Sequence, residues 1–320
     1  ISPLTDLKAY FFLKKLFRAE KYDVVHTHSS KAGIVGRFAA KAAHVPFVAH
    51  TIHGLAFHRY EKFWKNFIYI ASERAAAPCG KRIYAVAQAM IDQSLAAGVG
   101  KPEQYKVVYS GMELEPFLTS KPDPELRNSL GIPENAVVFA TLARLFPLKG
   151  YETFIPVAIK LAKEIPDIHY LIIGNGSMME EIQAQIAEAG LEKRFSFAGL
   201  VPPNEVWKYL ALSSALVHFS LREGLPRAAV QSLASGKPVI AYALDGTPEV
   251  VIPGKTGYLL QPGDRDGAEA AIREIMADPA HAAELGANGR ELVASRFGWR
   301  TMSDALLKDY AEQLAALEKK

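Results

Sequence analysis

Ser220-Leu221-Arg222-Glu223-Gly224-Leu225-Pro226-Arg227 is the stretch that decides how this chain folds. The apolar run 216–219 before it reads as a buried strand, and 239–241 after it reads as another. Between them, Pro226 opens a helix at its first position, where a missing N–H costs nothing, and Gly236 ends it. A strand, glycine turn, helix and strand in that order point free backbone N–H groups, and the positive end of a helix dipole, at a crevice. That is an anion site with a carboxylate beside it. Glu223 repels a phosphate, so its place there is read as an acceptor for hydroxyls, as on a sugar. The ligand this stretch predicts is a sugar joined to a phosphate.

Outward from it, short strands alternate with helices. Strands are expected at 24–27, 47–51, 83–86 and 105–109, with helices at 32–43, 61–77 and 89–97. After an interval broken by Pro116, Pro122, Pro124 and Pro133, strands are expected at 137–142, 170–173, 195–198, 216–219 and 239–241, with terminal helices at 268–277 and 282–295. Such alternation argues for parallel, doubly wound sheets in an α/β chain. The expected organisation is a first domain over 1–115, a linker over 116–132 and a second domain over 133–296.

Composition agrees with an ordinary globular chain. It has 320 residues, of which 49% are hydrophobic and 22% charged, enough for about two domains. A net charge of +3 is too small to argue for nucleic acid. A single cysteine, Cys79, excludes an intrachain disulfide and fits a reducing compartment. No apolar run approaches the roughly 18 residues of a membrane span.

The motifs, taken together, resemble one family. Glu223-Gly224-Leu225-Pro226, then Ala234-Ser235-Gly236-Lys237-Pro238-Val239-Ile240-Ala241, Gly246-Thr247-Pro248-Glu249-Val250-Val251, Gly254-Lys255-Thr256-Gly257-Tyr258-Leu259-Leu260 and the upstream Ala143-Arg144-Leu145-Phe146-Pro147-Leu148-Lys149-Gly150 are similar to the signature of retaining family-4 glycosyltransferases. The resemblance covers essentially the whole chain. It implies the GT-B fold, two Rossmann-like parallel-sheet domains facing a cleft, with residues 297–320 crossing back onto the first. That family's first domain begins with a strand and a glycine loop. None precedes Val24, so the first domain is read as incomplete.

The resemblance also implies roles. Arg144 and Lys149 follow a strand's carboxyl end, where ligands collect in open parallel sheets, and in the family they bind the nucleotide diphosphate in place of a metal. On their own they read equally as solvated loop charges. Glu223 contacts the donor sugar. Eight residues on, the family's second glutamate is here Gln231, a weaker ribose acceptor or a surface residue without a role. Gly224 and Leu225 complete that turn. Gly174 follows a strand and lets backbone approach a ligand, or is a tight turn. Gly199 and Val201 resemble the loop that reads the base. Glu249 bonds a sugar hydroxyl or caps its segment. His53 of Thr51-Ile52-His53-Gly54 lies at the reaction centre, and His28 is a weaker acceptor-side candidate.

No metal is expected. Six of the nine histidines fall between His26 and His58, but no ligand set is completed, and His26 and His50 read as satisfied inside the sheet. Asp264-Arg265-Asp266 reads as a helix cap. The opening segment 4–22 spaces Leu7, Tyr10, Phe11, Leu13 and Phe17 helically among Lys8, Lys14, Lys15 and Arg18. It is a helix packed on a sheet or one lying on an anionic membrane. The expected activity is transfer of a sugar from a UDP- or GDP-linked donor to a glycan or lipid-linked acceptor, in the cytoplasm, either free or at the inner face of the membrane. A sugar-nucleotide epimerase and a binding-only protein are the rivals.

Overall fold

The computed structural model describes residues 3–318. The chain forms two compact units, residues 1–111 with 299–320, and Met112–Gly298.

The first unit holds a four-stranded parallel sheet in the order β1-β2-β3-β4: β1 Val24–His28, β2 Phe47–Ile52, β3 Arg82–Ala85 and β4 Tyr105–Val107. Every residue of β2 is buried, as expected for a parallel strand covered on both faces. Gly33 and Gly36 let the helix Ser30–Ala42 lie close on the sheet, since a Cβ at Gly33 would sit 2.3 Å from the His50 ring. The helix Trp299–Glu318 belongs to this unit and is fastened by Asp309. Asp309 is 2% exposed and accepts from Arg82 Nε at 3.0 Å, Tyr84 OH at 2.7 Å and Lys106 Nζ at 2.9 Å. Burial alone would raise its carboxyl, but hydrogen bonds from Lys106 and Tyr84 and the charge of Arg82 hold it below 3.8. That stabilisation is therefore complete above the ordinary value and fades as pH falls through it. Asp309→Asn is expected to lower unfolding free energy by about 1.5–3 kcal/mol, read by urea denaturation at pH 7. An unchanged midpoint would mean the helix is held by its apolar face alone.

The second unit holds a six-stranded parallel sheet in the order β10-β9-β8-β5-β6-β7. Its strands are β5 Val137–Leu142, β6 Ile168–Ile173, β7 Phe195–Gly199, β8 Ala215–His218, β9 Val239–Tyr242 and β10 Gly257–Leu260. Tyr170 stacks on Phe195 at 5.0 Å and Phe219 on Tyr242 at 4.7 Å within the core. β10 carries no run long enough to mark it as a strand in sequence. It reaches β9 because Gly257 has no Cβ, which would fall 2.0 Å from the Val239 carbonyl oxygen.

Three local readings are revised. Pro226 is the N-cap of the helix Arg227–Ala234, at φ −74° and ψ 89°, not its first residue. The stretch 116–132, read as a linker, lies inside the second unit and carries most of the helix Glu115–Leu118 and the helix Pro124–Ser129, the latter capped by Asp123. The first unit ends at Gly111 and resumes at Trp299, against 115 and 297 in the sequence reading.

Candidate active site

In the second unit the chain runs from β5 outward through β6 and β7, then returns to β8 on the other side of β5 and continues through β9 and β10. The order reverses between β5 and β8, and such a reversal opens a crevice at the carboxyl ends of the two strands. The loop after β5 carries Arg144 and Lys149; the loop after β8 carries Glu223.

The two loops are laced together. Leu221 N donates to Leu148 O at 2.9 Å. Gly150, at φ 82°, presses on the exit of β8, where a Cβ would sit 2.1 Å from Phe219 O. The result places Lys149 Nζ 2.7 Å from Glu223 Oε1 and 3.2 Å from Ser220 Oγ. His218, the last residue of β8, lies with Nε2 3.5 Å from the same carboxylate oxygen. From the loop after β9, Asp245 Oδ2 accepts from Glu223 N at 2.8 Å.

Burial would raise the Glu223 carboxyl. His218 and then Lys149 outweigh that effect and bring it down to about 2. Glu223 is thus ionised at neutral pH, an acceptor and a counter-charge but not a proton donor. Sequence reasoning left it free for hydroxyls. In the structure one oxygen is shared by a lysine, because a half-buried carboxylate draws the nearest cation.

The other expected residues are placed as follows. Arg144 is exposed, its guanidinium 5.3 Å from the centroid of Phe146. Gly174, Gly199 and Val201 lie at the ends of β6 and β7, where Gly174 N donates to Gly199 O at 2.9 Å. Gly174 also has a packing reason, since its Cβ would meet Ala143 O at 1.9 Å. Leu225 is buried, Gly224 is half-buried beside Glu223, and Gln231 is half-buried on the helix Arg227–Ala234. Glu249 closes the short turn Thr247–Glu249. Asp264 accepts from Gly267 N at 2.8 Å, so the acidic triplet is a helix cap.

In the first unit His28 Nδ1 and His53 Nε2 are 3.0 Å apart at the carboxyl ends of β1 and β2. They adjoin a cavity of about 180 Å3 lined by Ser29, Ser30, His53, Gly54 and Phe57 among others. His26 is engaged by Thr51 Oγ1 at 2.7 Å and by Tyr310, and His50 by Thr27 Oγ1 at 2.9 Å. Burial, and then the charge of His28, brings His26 down to about 4. Both are held inside the unit, as expected.

Sequence reasoning missed His218, Ser220 and Asp245. A histidine ending an apolar strand, directly before the glycine turn, was the available signal.

Residues 122–292 match the family described as glycosyl transferases group 1, and residues 1–111 match the glycosyl transferase 4-like domain. The chain is 32% identical over 282 residues to the Escherichia coli UDP-Gal:alpha-D-GlcNAc-diphosphoundecaprenol alpha-1,3-galactosyltransferase, covering 87% of this chain and 72% of that protein. Among solved structures, Anabaena HepE in complex with UDP superposes with a TM-score of 0.83 at 23% identity, over 95% of this chain and 82% of that one. A sucrose-phosphate synthase from Thermosynechococcus elongatus superposes at 0.81 with 26% identity, over 95% and 78%.

Proposed function

This chain belongs to the glycosyl transferases of group 1, with the GT-B fold, and we propose that it moves a sugar from UDP to a hydroxyl of a lipid-linked glycan with retention of configuration. The observation that carries this reading is the Lys149–Glu223 pair at the reversal between β5 and β8. It joins a cation for a diphosphate to an acceptor for sugar hydroxyls that is ionised at neutral pH. Negative charge builds on the phosphate oxygen as the sugar leaves, and Arg144 with Lys149 stabilise it without a metal. Gln231 serves the ribose, the loops at Gly174, Gly199 and Val201 the base, and Gly224, Leu225 and Glu249 the sugar side. The family resemblance assigns His53 to the reaction centre and, less strongly, His28 to its acceptor side; His28 Nδ1 and His53 Nε2 lie 3.0 Å apart. The E. coli relative's name, with its UDP-sugar donor and diphosphoundecaprenol acceptor, favours UDP and a lipid-linked acceptor.

The test is incubation with UDP- and GDP-sugars, with and without a diphospholipid-linked acceptor sugar, in EDTA. An α-linked product from a UDP-sugar is expected. Epimerised sugar without acceptor would establish the rival enzyme, and nucleotide binding without turnover the binding-only protein. Arg144→Ala is expected to weaken UDP binding by about 1.5–3 kcal/mol, the range for a bond to a charged group. Calorimetry showing unchanged affinity would remove Arg144 from the diphosphate site.

Contact with a membrane surface follows from the same reading. Among the described residues no helix is long and apolar enough to cross a membrane. The helix Pro3–Glu20 packs Phe17 against Val25, Ala40 and Val48, yet exposes Leu4, Leu7, Phe11 and Phe12 beside Lys8 and Lys15. Such a face suits the surface of an anionic bilayer. Co-sedimentation with phosphatidylglycerol vesicles is expected to drop several-fold in the double variant Phe11→Asp, Phe12→Asp. Equal sedimentation would exclude this helix as the contact.

A further inference from the structure

We propose that His218 is a positioning residue, which keeps Glu223 in place when the donor diphosphate takes Lys149. The inference rests on the assignment of Lys149 to the diphosphate and Glu223 to the sugar. His218 is 5% exposed, and its Nε2 faces Glu223 Oε1 at 3.5 Å, a long approach beyond ordinary hydrogen-bond length, with no other partner among the described residues. A buried imidazole nitrogen without a partner is costly, and a native structure seldom leaves one without reason.

The reason lies in the sharing of Glu223 Oε1. Lys149 occupies that oxygen at 2.7 Å, while its ammonium also faces Ser220 Oγ. A diphosphate carries more negative charge than one carboxylate, so it competes strongly for the ammonium. Once Lys149 turns to it, Glu223 loses its short bond. Ser220 does not replace that bond, because its single hydroxyl proton is engaged by the Arg222 carbonyl at 3.1 Å, with the Leu148 carbonyl at 3.5 Å as the alternative acceptor. Asp245 cannot either, since it is itself an acceptor, bonded to Glu223 N. His218 Nε2, which carries the proton in one of the two neutral tautomers, already lies 3.5 Å from that oxygen. It needs an approach of only about 0.5 Å to reach ordinary hydrogen-bond length. Glu223 then stays oriented toward the sugar, and the two tasks of the site no longer compete for one lysine.

Two variants and one spectrum test this. His218→Leu removes the donor at similar size, and His218→Gln returns an N–H. For His218→Leu, kcat is expected to fall by up to about 100-fold, the cost of misplacing a reacting-site group by about 1 Å. UDP affinity should stay within about twofold, and His218→Gln should recover most of the loss. Unchanged kcat in His218→Leu, an equal loss of UDP affinity, or no recovery in His218→Gln overturns the proposal. Independently, the imidazole Nε2–H proton resonance of His218 in the unmodified protein should move downfield as UDP saturates. An unmoved resonance overturns the proposal even where a variant fails to fold. A shift in a protein that transfers no sugar would keep the role of His218 and sink the transfer reading instead.

Discussion

Glu223→Ala is expected to lower sugar transfer by about 100-fold or more while leaving the UDP dissociation constant within a few-fold of the parent value. The structure separates the two functions. The phosphate cations Arg144 and Lys149 sit on the loop after β5, whereas Glu223 is on the loop after β8 and meets that loop through Lys149. Removing the carboxylate frees Lys149 for the phosphate, so UDP binding has no cause to collapse; only orientation of the sugar is lost. A helix-capping role predicts the reverse, a stability loss of about 0.5–2 kcal/mol with turnover spared. The geometry disfavours it, because the helix Arg227–Ala234 starts at Pro226 with no side-chain cap. The pH dependence follows from the same contacts. Glu223 is brought from 4.5 down to about 2 by His218 and Lys149 against the opposing effect of burial. Its contribution to stability is full above 4.5 and is lost as pH falls from there toward 2. Any fall in turnover between pH 5 and 7 therefore belongs to another group, and its persistence in Glu223→Gln, measured on residual activity, checks that. Wild-type transfer in Glu223→Ala, with a lowered melting temperature, would remove Glu223 from the site.

The strand–turn–helix around Glu223 was legible because its signals are local: an apolar run, a glycine, a proline, a closing glycine. So was the alternation that gives two parallel sheets. The pairing of Lys149 with Glu223 was not, because it depends on β5 and β8 being neighbours, and nothing near either residue encodes that adjacency. His218 was hidden for the same reason, since its position opposite a carboxylate exists only in the folded sheet. The interval 116–132 misled through its prolines. Pro116 and Pro124 lie in the first turns of short helices, where proline is tolerated, and do not interrupt them. The family resemblance supplied the roles of Arg144, His53 and Gln231, which no periodicity would have singled out.

Glu73→Leu is expected to destabilise the protein by about 3–5 kcal/mol, the largest stability effect anticipated here. Arg37, on the helix Ser30–Ala42, is 1% exposed, and its Nη2 meets Glu73 Oε2 of the helix Phe63–Ala76 at 2.5 Å. Its Nε donates to Gly33 O at 3.0 Å. Deleting the carboxylate leaves a guanidinium charge under the sheet with one carbonyl partner, and a buried charge without a counter-ion costs far more than the pair gains. It also leaves Arg37 facing His50, which burial and then the Arg37 charge already bring down to about 2. Against a typical total of about 5–15 kcal/mol, that loss decides whether the unit folds at 37 °C. The discriminating measurement is a double-mutant cycle by urea denaturation. Arg37→Met with Glu73→Leu removes both charges at similar volume and should recover most of the loss, since apolar replacements of buried pairs are often neutral or stabilising. A cost below about 1 kcal/mol for Glu73→Leu would show that water reaches Arg37 when its partner is gone. A double variant as unstable as the single would instead place the cost in packing between the two helices, with the charge a minor part of it.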